Sequence, residues 1–120
     1  MPDDDALVAP ILESALLETA RSLYKNRRRR AHFFADRLFA EPTWDMLLDL
    51  YIADCERRRT SVKSVCIGAD VPATTALRHL GGLEERGLVE RLSHPHDARS
   101  TYVRLTSTGL SAMEEYLAEI

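Results

Sequence analysis

From Val8 onward, apolar residues recur at helical spacing. Ile11, Leu12, Ala15, Leu16, Ala20, Leu23 and Tyr24 form a stripe with steps of three and four. Three acids at residues 3–5 precede it and suit either a frayed start or a helix amino terminus. A basic run at residues 25–30 follows. Phe33, Phe34, Arg37 and Leu38 then make a short second pattern that either continues this helix or bends away from it. Glu41-Pro42 marks a restart, because proline suits a first helical turn and restricts the residue before it. Trp44, Leu47, Leu48, Tyr51, Ile52 and Cys55 give the next stripe. It should stop near Arg57-Arg58-Arg59, where cations complement the carboxyl end of a helix dipole.

Beyond that point the elements shorten. Thr60-Ser61-Val62 fits a short edge strand, and Ser61 fits equally as the cap of a helix that turns Val62, Val65 and Cys66 inward. Gly68-Ala69-Asp70 supplies a turn, and Pro72 opens the following helix. With Ala73, Ala76, Leu80 and Leu83 inward and Leu77 at the margin, Thr74, Thr75, Arg78 and His79 fall on or near the opposite face. Gly87 ends this helix. Residues 88–92 and 101–105 read as strands. In the second, Val103 and Leu105 share one face while Tyr102 and Arg104 share the other. Residues 93–100 read as an extended hairpin loop. Thr106 or Ser107 then caps a final helix with Leu110, Met113, Tyr116, Leu117 and Ile120 on its apolar side. The predicted fold is mainly α with a small antiparallel β-hairpin, a winged helix-turn-helix. That order of parts offers a helix to a major groove and a basic loop to a flanking groove.

The 120 residues suit one domain, and 45% hydrophobic with 29% charged residues is ordinary for a soluble globular chain. No run approaches the ~20 apolar residues of a membrane helix, so no membrane partner is expected. The start, Met-Pro-Asp-Asp-Asp, is acidic where a secretory signal is basic, which predicts a cytoplasmic protein. The net charge of -3 weighs mildly against nucleic acid. Yet bases gather at residues 25–30, 57–63 and 78–104, while acids crowd the two ends. Phosphate attraction follows the local field, so the total does not exclude DNA. Cys55 and Cys66 lack metal-like spacing and read as small, reduced, mostly buried thiols, with a redox switch as the sharper alternative.

Small hydroxyl residues near a helix start, as at Thr74 and Thr75, suit close approach to phosphates and thymine methyls. Arg78, one turn later, can reach guanine edges or the backbone. Gly81-Gly82 reads equally as bare backbone admitting a phosphate or a neighbouring helix, and as weak spacing near a helix end. Lys63, Ser64 and Arg91 are weaker candidates for phosphate contact. The arginines at 27–30 read first as a solvated face, then as a phosphate or partner contact. Asp97 and Arg99 stand two apart, so the carboxylate can hold the guanidinium extended for a narrow minor groove. Spacing alone favours an ordinary surface pair. His94, His96 and Asp97 lack a fourth ligand, and Pro95 restricts them, so no metal or other cofactor is expected. Without a nucleophile elbow, phosphate loop, paired-carboxylate motif or zinc signature, no enzyme is expected either.

Leu83-Glu84-Glu85-Arg86-Gly87-Leu88-Val89, then Asp97-Ala98-Arg99-Ser100, then Val103-Arg104-Leu105-Thr106-Ser107-Thr108-Gly109 together resemble the MarR family of bacterial transcriptional regulators. The resemblance runs from about residue 44 to 117. It implies a winged helix-turn-helix homodimer on palindromic double-stranded DNA, with a small-molecule effector pocket between dimerisation helices and DNA-binding domain. By that resemblance Thr74, Thr75, Arg78 and His79 lie on the recognition helix. Arg99 matches the wing arginine, Asp97 its orienting acid, and Ser100 follows in the same motif. This reverses the reading from spacing alone.

The family usually ends in a long helical region that builds the dimer, whereas here the last pattern stops at Ile120. The first helix is therefore expected to share that work, placing Ile11, Leu12, Leu16, Leu23, Tyr116 and Leu117 at the dimer interface. The family also tends to carry bulkier polar residues where Gly81-Gly82 stand. The expected organisation is a helical dimerisation region at 1–40, a winged helix-turn-helix at 41–107, and a dimerisation helix at 108–120. Two other functions stay open. One is a winged-helix protein-interaction module of a larger regulatory or phage-related assembly. The other is a small-molecule or redox sensor whose DNA binding is switched, with Cys55 and Cys66 as the redox candidates.

Overall fold

The computed structural model describes residues 3–34, 38–93 and 101–120. Among the described residues five helices and three strands run in the order α1 Asp3–Phe33, α2 Pro42–Cys55, β1 Thr60–Ser61, α3 Val62–Gly68, α4 Ala73–Glu85, β2 Val89–Ser93, β3 Thr101–Leu105 and α5 Ser107–Ala118. The expected winged architecture is present. The first stripe and the basic run belong to one continuous helix through Phe33.

Helix α2 is the centre of the molecule. Pro42 occupies its first turn, and Met46, Leu48, Leu50, Tyr51, Ile52 and Ala53 are all buried. A helix surrounded by neighbours has no single apolar stripe, which is why the sequence pattern omitted Met46, Leu50 and Ala53. The same core takes Leu16 and Ala20 from α1, Ala76, Leu80 and Leu83 from α4, Val89, Val103 and Leu105 from the sheet, and Met113 and Leu117 from α5. Trp44 of α2 meets Tyr116 of α5 edge to face, 5.4 Å between ring centres, a preferred aromatic geometry.

The sheet has the order β1-β3-β2, antiparallel throughout. Both readings of Ser61 hold at once. It ends strand β1 opposite Tyr102, and its hydroxyl caps α3 by accepting the Ser64 N–H at 3.0 Å. Strand β2 begins one residue later than expected and pairs Val89 with Leu105 and Arg91 with Val103. Val103 and Leu105 point into the core, as the alternation predicts, and Arg104 is exposed.

The sequence gives no sign of the clamp between α1 and its neighbours, whose partners lie far apart along the chain. Arg27 is not part of a solvated face. Its side chain is 9% exposed, with Nε 2.5 Å from the Asp45 carboxylate and a further nitrogen 3.7 Å from Glu41. Arg28 donates to the Tyr24 hydroxyl at 2.8 Å and to the Gly68 carbonyl at the end of α3. Arg21 binds Glu56, just past α2, at 2.7 Å. Arg21 and Arg58 together hold the Glu56 carboxyl below its ordinary range.

Candidate nucleic-acid interface

Helices α3 and α4 are joined by a turn in which Ala69 is buried and Asp70 adopts a left-handed conformation, φ 55°. Aspartate is among the few side chains that tolerate this region. Pro72 stands just before α4 at its cap. Only Ala76, Leu80 and Leu83 of α4 are buried. Ala73, expected inward, is exposed, because Val71 already packs against the core there and the helix begins at its margin.

Thr74 and Arg78 are exposed on the outward face of α4, and Thr75 is half-buried beside them. His79 departs from its expected place. Its ring Nδ1 lies 3.0 Å from the Thr43 hydroxyl, so it faces the start of α2 and is half-buried. Helical angle places His79 between the core and the outer face, and the nearby hydroxyl draws it inward. It links α4 to α2 and is not part of the exposed polar face. A Cβ added at Gly81 would meet nothing within 4 Å. No helix therefore packs against Gly81 within the described chain, which leaves the phosphate and weak-spacing readings.

The end of α4 is closed by two backbone bonds. The Leu88 N–H reaches the Leu83 carbonyl at 3.1 Å, and the Gly87 N–H reaches Glu84 at 3.0 Å. Gly87 has φ +71°, the left-handed position that such a stop needs and glycine supplies without strain. Thr106 joins this stop to α5. Its hydroxyl donates to the Gly87 carbonyl at 2.6 Å and accepts the Gly109 N–H at 3.0 Å. Its own N–H donates to the Leu88 carbonyl at 3.0 Å. Helix α4, the hairpin base and α5 thus meet at one point.

The other candidates divide. Lys63 and Ser64 are exposed in the first turn of α3. Arg91 is exposed, with Nε 3.3 Å from a Glu84 oxygen, so it already has an acidic partner. Asp97, Arg99 and Ser100, with His94 and His96, lie outside the described residues. Ile11, Leu12 and Tyr116 are exposed, and Leu23 packs partly against the core. Leu16 at 7% and Leu117 at 1% exposure are corrected to core residues. Each packs into the core of the single chain. Among the described residues no cluster of three His, Cys, Asp or Glu could hold a metal, and no helix is long and apolar enough to cross a membrane.

Burial pushes the Cys55 and Cys66 thiols above the ordinary range; the Tyr51 hydroxyl beside Cys55 opposes its shift. A raised thiol pKa reduces the thiolate that oxidants and alkylators attack. Both cysteines are therefore expected to react with iodoacetamide at pH 8 more slowly than a free cysteine. Rapid labelling of either in the folded protein would restore the redox reading.

The winged helix DNA-binding domain family matches residues 45–109, more than half of the chain. The HTH-type transcriptional repressor YetL of Bacillus subtilis (strain 168) is 28% identical over 110 residues, covering 88% of this chain. The chain spans 65% of that relative's length. The fold resembles that of S. aureus MepR in its complex with DNA, with a TM-score of 0.58 at 15% identity, covering 82% of this chain and 73% of that one. It resembles apo MarR from E. coli with a TM-score of 0.54 at 21% identity, covering 99% and 74%.

Proposed function

Since the chain belongs to the winged helix DNA-binding domain family in its MarR-type form, we propose that it is a sequence-specific DNA-binding transcriptional regulator, without enzymatic activity, that acts as a homodimer. The observation that carries this reading is the outward face of α4. Thr74 and Arg78 are exposed there, no carboxylate pairs with Arg78 among the described residues, and the helix ends directly in the hairpin stem. In this reading α4 enters the major groove and Arg78 reaches a base edge or phosphate. Arg99, oriented by Asp97, enters the flanking minor groove. Lys63 and Ser64 meet phosphates at the start of α3. The exposed apolar residues Ile11, Leu12 and Tyr116 supply the surface on which two copies meet. A small-molecule effector is part of the same proposal.

Selection of bound DNA from a random pool tests the core of this reading. A palindrome with half-sites about 10 base pairs apart is the expected result for a dimer. On the selected site, Arg78→Ala is expected to weaken binding by about 5- to 150-fold with relaxed preference at one position. Arg99→Ala is expected to weaken it and reduce the salt slope by about 1. Unchanged affinity and slope for either variant would remove that residue from the interface.

A second reading, a winged-helix protein-interaction module, is favoured by one feature. An open apolar groove of about 450 Å³ lies between α3 and α4, lined by Val62, Cys66, Ile67, Val71 and Leu77, with Ile67 69% exposed. Failure of the protein to bind any DNA at low salt would favour this reading over the first.

A further inference from the structure

Five cations crowd residues 25–30, and the fold uses two of them. Arg27 is bound to Asp45, and Arg28 to the Tyr24 hydroxyl and the Gly68 carbonyl. Lys25, Arg29 and Arg30 are exposed, and none has a carboxylate partner among the described residues. Cations complement the carboxyl end of a helix, but that effect fades within the last turn. Only Arg30 of the three lies in it. Lys25 and Arg29 stand before it, four residues apart on one face, where like charges destabilise a helix. The chain by itself gains nothing from this pairing, and a polyanion lying along that face would relieve it.

The arginines that the fold does use fix where these cations stand. The bond from Arg28 fastens the end of α1 to the carboxyl end of α3. Arg30 and Ala31 then share a small hollow with Ala69 and Asp70, in the turn that leads into α4. The acids of this hollow already have cations, since Asp45 holds Arg27 and Asp70 attracts Arg28. The Arg30 guanidinium lies over the Phe39 ring, 5.9 Å from its centre, which holds the group in place and leaves its charge intact. Unpaired positive charge thus stands beside the turn from which α4 departs.

We propose that the end of α1 is a further DNA contact, in which Lys25, Arg29 and Arg30 bind backbone phosphates on the strand that passes the start of α4. A helix seated in a major groove about 12 Å wide has a phosphate strand along each side, so cations beside its first turn meet one of them. Contacts of this kind add affinity and fix orientation without reading sequence. They give a chain of net charge -3 a positive field where α4 would meet DNA. This contact rests on the DNA-binding reading above.

Fluorescence anisotropy over a range of salt concentrations tests it, with Lys25→Gln, Arg29→Gln and Arg30→Gln combined in one variant. The probes are the duplex chosen by selection and a duplex of unrelated sequence. The variant is expected to bind both at least about tenfold more weakly at low salt. The salt slope is expected to fall by about 2–3, at about 0.9 for each lost phosphate. The ratio of the two affinities is expected to stay level, and so is the melting temperature, since only exposed side chains change. An unaltered salt slope would overturn the proposal and leave the DNA-binding reading standing, as would a loss confined to the selected duplex. Wild-type binding to phosphatidylserine vesicles, lost in a variant whose salt slope on DNA is unchanged, would reassign the patch to an anionic membrane. No binding of any duplex by the wild-type protein would overturn both.

Discussion

Gly109→Ala is expected to destabilise the domain by about 3 kcal/mol or more. Glycine to alanine inside a helix ordinarily stabilises, by up to about 1 kcal/mol. Here a Cβ would collide with the Leu88 carbonyl oxygen and stand only 3.0 Å from its carbon. That carbonyl belongs to backbone, and it also accepts the Thr106 N–H at 3.0 Å. Neither partner can rotate aside, so α5 must lift from the hairpin base and strip Met113 and Leu117 from the core. Urea denaturation measures the loss. The same exchange at Gly81 is the internal control, because a Cβ there meets nothing within 4 Å. It is expected to stabilise by about 0.5–1 kcal/mol. Equal effects at the two glycines would refute the close-approach argument.

Arg27→Ala is expected to cost about 2–3 kcal/mol, below the ~3–5 kcal/mol of a fully buried ion pair because this one is part-buried. Asp45 is only 16% exposed and would be left without its main cation. The loss is then mostly the penalty of an uncompensated, part-buried charge, not the worth of the pair. Replacing both members with apolar residues of similar volume, Arg27→Met with Asp45→Leu, is accordingly expected to recover most of the stability. Thermal melts of the single and double variants decide it. A double variant as unstable as Arg27→Ala alone would show that packing of the arginine stem, rather than charge, carries the effect.

The elements most legible in the sequence are those with one buried side and one wet side. Helix α4 is the clearest, since its three buried residues return at helical steps and leave Thr74 and Arg78 outward. The stop at Gly87 and the alternation of β3 are equally readable, because each rests on local backbone chemistry. Periodicity gives an angle, however, and not a partner. His79 lies at an angle compatible with either face, and Thr43, 36 residues earlier, decides it. Arg27 and Arg28 read as a basic surface run until α2 and α3 are folded against them. Leu16 and Leu117, expected at a dimer surface, are buried within the chain itself, since an apolar stripe does not say which neighbour covers it. The wing residues Asp97 and Arg99 rest on the resemblance alone.

The three strands also bear on how the sheet avoids pairing with other chains. A sheet edge with free backbone groups is a template for strands of other chains. Here one edge is β1, only two residues long before α3 begins, too short to seed a ladder. The other edge is β2, whose five residues include Glu90 and Arg91, both engaged in ion pairs. An incoming strand would have to lie alongside those charges and compete with their salt bridges. The arrangement therefore guards against edge-to-edge polymerisation, and substitutions that make positions 90 and 91 apolar would open a route to aggregation without touching the core.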